Sequence, residues 1–241
     1  MEKSRVLQAL DSRPFAVIAH RLGGKLGPEN TLPALEASIR AGAEIAEADI
    51  RITRDGVPVV LHDDEIRIPS GARVKVRELT YERINEFLME PLLALSSLLK
   101  AAKGRIPLFL EIKDVEAVGP VLEEVESETM VLDVAVISFH VEALVKARKM
   151  NPSIVTGVVY FRPPGMILEC KRIGCRIVLP RYNVATPRAV GFAHRLGLKV
   201  ATWTINESTL AKLVASRGVD GIATDDPALL AKVKEELSKH A

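Results

Sequence analysis

The chain lacks what most macromolecular partners would require. Its 33 basic residues are nearly matched by 31 acidic ones, for a net charge of +2. That balance offers no basic face for nucleic acid and no strong pull toward anionic lipid. No apolar run reaches the ~20 residues of a membrane span, so stable membrane association is not expected. The opening MEKSRVLQALDSRP has no apolar core and does not read as a secretory signal; a cytoplasmic location is expected. Cysteine is scarce: only Cys170 and Cys175 occur, at a spacing that fits no common zinc motif and with no histidine nearby. Unpaired thiols are the expectation. A single Gln and few Asn among many charges form a heat-adapted signature, in which a disulfide between the two stays open.

What is present is ordinary for a folded protein, with 48% hydrophobic and 27% charged residues. The length suits one large α/β domain or two small ones. Ile45–His62, IAEADIRITRDGVPVVLH, organises the rest. It predicts two alternating strands around an Asp55-Gly56 turn. A tight turn joins antiparallel strands only, so Val57–Leu61 is an excursion from the end of the second strand.

Apolar runs at Phe15–Ala19, Ile106–Lys113, Val134–Phe139, Ile154–Tyr160, Arg176–Pro180, Lys199–Thr204 and Val219–Ala223 predict the remaining strands. Helical patterns separate them. Asn30 stands where a helix cap belongs, Thr80 could cap a helical region reaching Lys103 with a break at Pro91, and Asp225 or Asp226 enters the last helix. In the helices over His140–Met150 and Ser208–Arg217, Val141, Leu144, Val145, Leu210, Leu213 and Val214 are expected to face inward. Asp64–Leu79 reads as polar and irregular. Setting the excursion aside leaves eight βα units over residues 1–241: a single (β/α)₈ TIM-barrel domain with a β-hairpin after strand two. A doubly wound sheet is the alternative, but no dinucleotide fingerprint supports it.

Barrel enzymes work at the C-terminal ends of their strands. There the chain places His20-Arg21, Glu47 and Asp49, Glu111 and Lys113, Ser138-Phe139-His140, Trp203-Thr204 and Thr224-Asp225, with His62 returned by the hairpin. Glu47 and Asp49 share one face of a strand, as do Glu111 and Lys113. Three carboxylates suit a hard divalent cation, Mg²⁺ or Ca²⁺. The competing reading pairs them with Arg21, Arg51 and Lys113. It is weaker for three acids on two apolar strands, because unpaired buried charge is costly. His20 and His62 beside them suit proton transfer near neutral pH. Arg21 and Lys113 supply the fixed positive charge that a phosphate oxygen requires. His140 and His194 are read as structural. Trp203 is a core residue or a pocket wall.

With these residues assembled, the chain resembles the glycerophosphodiester phosphodiesterase family. The match runs through IAHR at Ile18–Arg21, PENT at Pro28–Thr31, AGAEIAEADIRITRDGVPVVLHD, LEIK at Leu110–Lys113, ISF at Ile137–Phe139, GLKVATWTIN at Gly197–Asn206 and GVDGIATDDP at Gly218–Pro227. Leu22 stands before Gly23-Gly24 where the family often has Gly at once, and the Asp64–Leu79 insertion is short. The resemblance implies a (β/α)₈ fold and cleavage of a small phosphodiester to glycerol phosphate and an alcohol. It implies His20 and His62 as the acid–base pair, and Glu47, Asp49 and Glu111 as metal ligands. Arg21 and Lys113 become phosphate contacts, Glu29 a polar partner of the site, and Trp203 part of the substrate pocket. A lysophospholipid-cleaving enzyme with the same site is one alternative. A barrel that only binds phosphorylated ligands is another, and it would not require both histidines with all three acids.

Overall fold

The computed structural model describes residues 3–162 and 165–239. The strands in chain order are β1 (Ala16–Ala19), β2 (Ile45–Ile52), β3 (Pro58–Val60), β4 (Glu65–Arg67), β5 (Arg73–Lys75), β6 (Leu108–Ile112), β7 (Val134–Ser138), β8 (Val155–Tyr160), β9 (Ile177–Pro180), β10 (Lys199–Thr202) and β11 (Gly221–Thr224). The sheet runs β1-β11-β10-β9-β8-β7-β6-β2, and β1 also pairs with β2. All of these pairings are parallel, so eight strands close a barrel. The helices are α1 (Arg5–Ala9), α2 (Leu32–Arg40), α3 (Tyr81–Asn85), α4 (Leu95–Ala102), α5 (Val118–Ser127), α6 (Val141–Met150), α7 (Met166–Arg172), α8 (Pro187–Arg195), α9 (Ser208–Ala215) and α10 (Pro227–Ser238). The architecture is the (β/α)₈ barrel that the strand count predicts.

Three apolar clusters hold it together. The largest lies between the barrel wall and the surrounding helices, where Val17, Ile50, Leu110, Val136, Val158, Val178, Val200 and Ile222 point outward from their strands. The alternate residues point inward: Ile18, Phe109, Ile137, Val159, Leu179, Ala201 and Ala223 fill the barrel. Val6 and Leu10 of the α1 region join that inner cluster. Both faces are therefore apolar along most of the barrel wall, which is why most runs read as continuous rather than alternating; Glu47 and Asp49 on β2 and Glu111 on β6 are the charged exceptions.

The excursion after β2 is antiparallel, as the Asp55-Gly56 turn predicts: Ile50, Arg51 and Ile52 pair with Val60, Val59 and Pro58. Gly56 has φ +82°, which the turn requires. Asp64–Leu79 is more ordered than expected. It forms the antiparallel β4–β5 hairpin and a 3₁₀ turn at Val76–Glu78. The reason is a third small core, where Ile66 and Val76 pack with Val59 and Ile84. Thr80 does cap α3, accepting from the Arg83 N–H, but helix is absent between α3 and α4. There the chain instead pairs with the free edge of β3, through Val59 and Ala94 and the Val60 N–H to Leu93 C=O bond.

On two helices the expected inward face holds for Leu144 and Val214 and fails for Val145 and Leu213. On α6, Ala143, Leu144 and Ala147 are buried and Val145 is exposed; on α9, Ala211 and Val214 are buried and Leu213 is exposed. Ala143, Ala147 and Ala211 take buried places beside Leu144 and Val214, which leaves Val145 and Leu213 at the exposed side. Both cysteines are buried free thiols; Cys175 accepts from Thr156 Oγ1 and Cys170 donates to Ile177 C=O. Among the described residues no helix is long and apolar enough to cross a membrane.

Candidate active site

The barrel's C-terminal mouth holds a cavity of about 250 Å³. His20, Arg21, Glu47, Asp49, His62, Glu111, Lys113 and Trp203 all line it. Strand pairing explains the convergence. Asp49 stands beside Glu111 in the β2–β6 register, and β1 runs alongside β2. Two residues earlier on β2, Glu47 shares the inward face with Asp49. One oxygen from each of Glu47, Asp49 and Glu111 lies within 4.8 Å of the others. All three residues are buried.

After β1 the chain turns sharply, with Arg21 at φ +50° and Leu22 at φ +63°. Two consecutive left-handed residues are costly and are usually retained for function. Here they aim the Arg21 N–H at Glu47 Oε2, 2.8 Å away. Gly23 completes the turn at φ +98°. The Arg21 guanidinium bonds both oxygens of Glu29 at 3.0 and 3.1 Å, and its Nε lies 3.6 Å from Asp49 Oδ2. Glu29 is half exposed and reaches the site through Arg21 rather than by facing the cavity.

Among the described residues, two buried polar atoms in this cluster have no hydrogen-bond partner: Glu47 Oε1 and Arg21 Nε. One is an acceptor and the other a donor. The pair is complementary to a cation on one side and an anion on the other.

The charges have shifted accordingly. Burial pushes the Glu47 carboxyl up to about 8, reinforced by the neighbouring charges of Asp49 and Glu111. Asp49 is lowered, because the Lys113 ammonium and the Asn30 hydrogen bond outweigh its burial. Burial opposes charge on Lys113, yet Glu111 and Asp49 raise it above the ordinary lysine value. His20 is raised too: burial disfavours its charged form, and the Asp225 hydrogen bond with the nearby Glu47 and Asp225 charges outweighs that.

Each cavity histidine is tethered through Nδ1, which leaves Nε2 for a substrate. His20 Nδ1 lies 2.7 Å from Asp225 Oδ1, and His62 Nδ1 lies 2.9 Å from Asp63 Oδ1. The His62 C=O accepts from Arg51 Nε at 2.9 Å, and Arg51 is paired in turn with Asp114. Opposite the charged groups the cavity wall is apolar. Phe139 meets Trp203 edge to face at 5.7 Å, and Trp203 Nε1 donates to Leu179 C=O.

A family model described as the glycerophosphoryl diester phosphodiesterase family matches residues 20–229. The chain belongs to this family of enzymes. A glycerophosphodiester phosphodiesterase of Caldanaerobacter subterraneus subsp. tengcongensis is 29% identical over 89% of this chain and 95% of its own. One of Bacillus altitudinis is 29% identical over 92% of this chain and 98% of its own. A crystal structure from Silicibacter pomeroyi DSS-3, of a protein carrying the same family name, superposes with a TM-score of 0.89. It is 27% identical and covers 97% of this chain and 98% of that one.

Sequence reasoning gave no role in this phosphodiesterase-family site to two contributors, Asn30, read as a cap, and Asp225, placed at the mouth but offered as a cap. Asn30 is not the cap of α2. Thr31 takes that role through the Ala34 N–H, and Asn30, at φ +59°, bonds Asp49 Oδ2 at 3.0 Å. Pro33 in the first turn is the signal that Thr31 is the cap. Asp225 is likewise not a cap. Pro227 opens α10, so Asp226 caps it and Asp225 is released to His20. His140 precedes α6, and His194 bonds the buried Asp220 at 2.8 Å, away from the cavity.

Proposed function

We propose that this chain is a metal-dependent phosphodiesterase whose single barrel, over residues 1–241, cleaves glycerophosphodiesters to glycerol phosphate and an alcohol. One observation carries the reading. A buried carboxylate oxygen without a partner, Glu47 Oε1, lies in a three-carboxylate cluster in the same cavity as two carboxylate-tethered histidines. The donor set fits a hard divalent cation, with Glu47, Asp49 and Glu111 as ligands and Mg²⁺ or Ca²⁺ as the ion. Bound there, the ion would polarise a phosphoryl oxygen and offset its developing charge.

The chain's own residues supply the rest. Arg21 and Lys113 hold the phosphate, Arg21 through the Nε that lacks a partner. Glu29 fixes the Arg21 side chain. One histidine of the His20/His62 pair takes the proton from the glycerol hydroxyl next to the phosphate. That oxygen attacks phosphorus, the other histidine protonates the departing alcohol, and water opens the resulting cyclic phosphate. Trp203 and the apolar wall shield one side of the cavity from solvent.

The test separates the two histidines. His20→Ala and His62→Ala should each lower kcat by about 10²–10⁴-fold on a glycerophosphodiester. On a substrate whose leaving group is p-nitrophenolate, the variant lacking the general acid should recover much of its rate, and the other should not. Equal, small losses for both variants on both substrates would refute proton transfer by this pair.

A further inference from the structure

Asp225 is used neither by the helix cap nor by the cavity lining, yet it is among the most firmly held side chains near the site. Its Oδ1 faces His20 Nδ1 at 2.7 Å, and its Oδ2 accepts from Asn206 Nδ2 at 2.6 Å. Asn206 cannot turn its amide over. Its Oδ1 already accepts from Thr224 Oγ1 and from the Asp225 backbone N–H, both at 2.9 Å. A flip would set an NH₂ group against the Asp225 backbone N–H, which can only donate, and turn the amide oxygen toward the Asp225 carboxylate, which can only accept. Thr224 Oγ1 also accepts from the Asp226 N–H at 3.0 Å. The Asn206 NH₂ therefore points one way, onto a carboxylate that can only accept. The His20 ring must place its proton on Nδ1, which leaves Nε2 as the nitrogen available to the cavity. Among the described residues His62 has no equivalent, because its partner Asp63 is 77% exposed and held by no second side chain in the same way.

We propose that Asp225, tethered by Asn206, is a positioning residue that fixes the tautomer and ring orientation of His20. The inference rests on the reading of His20 as a proton-transfer group. In Asp225→Asn the new amide has one acceptor and one donor where two acceptors are needed. Either its NH₂ opposes that of Asn206, or it faces Nδ1 and forces the ring proton onto Nε2.

The experiment compares four variants with the parent on a glycerophosphodiester, with melting temperatures measured alongside. Asp225→Asn should lower kcat by about 10²-fold or more, with KM changed by no more than about threefold. In the His20→Ala background the same change should cost nothing further, because Asp225 acts only through the ring. The exchange Asp225→Asn with Asn206→Asp re-forms every hydrogen bond and leaves Oδ1 to accept from His20. It should recover at least about tenfold over Asp225→Asn alone. An additive loss in the His20→Ala background, or an exchange variant no faster than Asp225→Asn, would overturn the proposal. A His20→Ala variant with unchanged kcat would overturn the functional reading itself.

Discussion

The Lys113 ammonium lies 2.9 Å from Asp49 Oδ1 and also bonds Glu111, so it sits inside the carboxylate group that a divalent cation would share. With Arg21 Nε 3.6 Å from Asp49, two cations offset two of the three acids. The third, Glu47, is the one whose carboxyl is pushed up to about 8.

On the proposed reading, Lys113 competes with the metal while contacting phosphate. Lys113→Gln should tighten Mg²⁺ or Ca²⁺ binding by roughly tenfold, measured by calorimetry, because a nearby like charge is removed. The same variant should lose about 10–100-fold in kcat/KM, the loss expected for one charged hydrogen bond to phosphate. Weaker cation binding in Lys113→Gln would mean that the lysine organises the acids rather than competing for them.

Glu47 gives the metal-free protein a defined pH dependence. Its folded pKa, about 8, lies above the ordinary 4.5, so the folded state keeps a proton that the unfolded chain releases between those values. Its stabilising contribution is complete below about pH 4.5 and is lost as pH rises through about 8. The raised His20 acts in the same direction. The melting temperature of metal-free protein should fall from pH 6 to pH 9, and Glu47→Gln should flatten most of that slope. Cation affinity should rise over the same window, since binding expels the Glu47 proton. Equal slopes for parent and Glu47→Gln would show that Glu47 does not carry the proton.

Gly23 closes the turn that aims Arg21 at Glu47. It has φ +98°, and an added Cβ would stand 2.0 Å from Ser38 Oγ, which itself donates to Leu22 C=O. Gly23→Ala should cost about 1–3 kcal/mol in urea unfolding, from strain and overpacking together. It should also lower kcat by moving His20 and Arg21. A variant with the parent's unfolding midpoint would show that the turn adapts freely.

Much of this was legible in the sequence, for physical reasons that differ by residue. The parallel strands were visible because both of their faces are buried. The excursion was visible because Asp55-Gly56 admits only an antiparallel return. Glu47, Asp49 and Glu111 stood out as acids inside apolar runs. Less legible were features set by contacts between distant segments. Asn30 and Asp225 looked like caps, since cap and site residues share the same short polar side chains. Only the prolines at 33 and 227 show that the caps lie one residue later. The β4–β5 hairpin was hidden because its apolar residues, Ile66 and Val76, are few and belong to a small separate core. On α6 and α9 Leu144 and Val214 were legible as inward, while Val145 and Leu213 were not, because alanines at 143, 147 and 211 take the buried places without standing out as apolar.

Metal-dependent cleavage of a glycerophosphodiester at the Glu47, Asp49 and Glu111 cluster is tested most directly by stripping the protein with chelator, returning Mg²⁺ or Ca²⁺ stepwise, and following glycerol phosphate formation by phosphorus NMR. Turnover should vanish on chelation, return with the cation, and fail to return in Glu47→Gln at the same cation concentration. Undiminished turnover by protein shown to be metal-free, in excess chelator, would contradict the account.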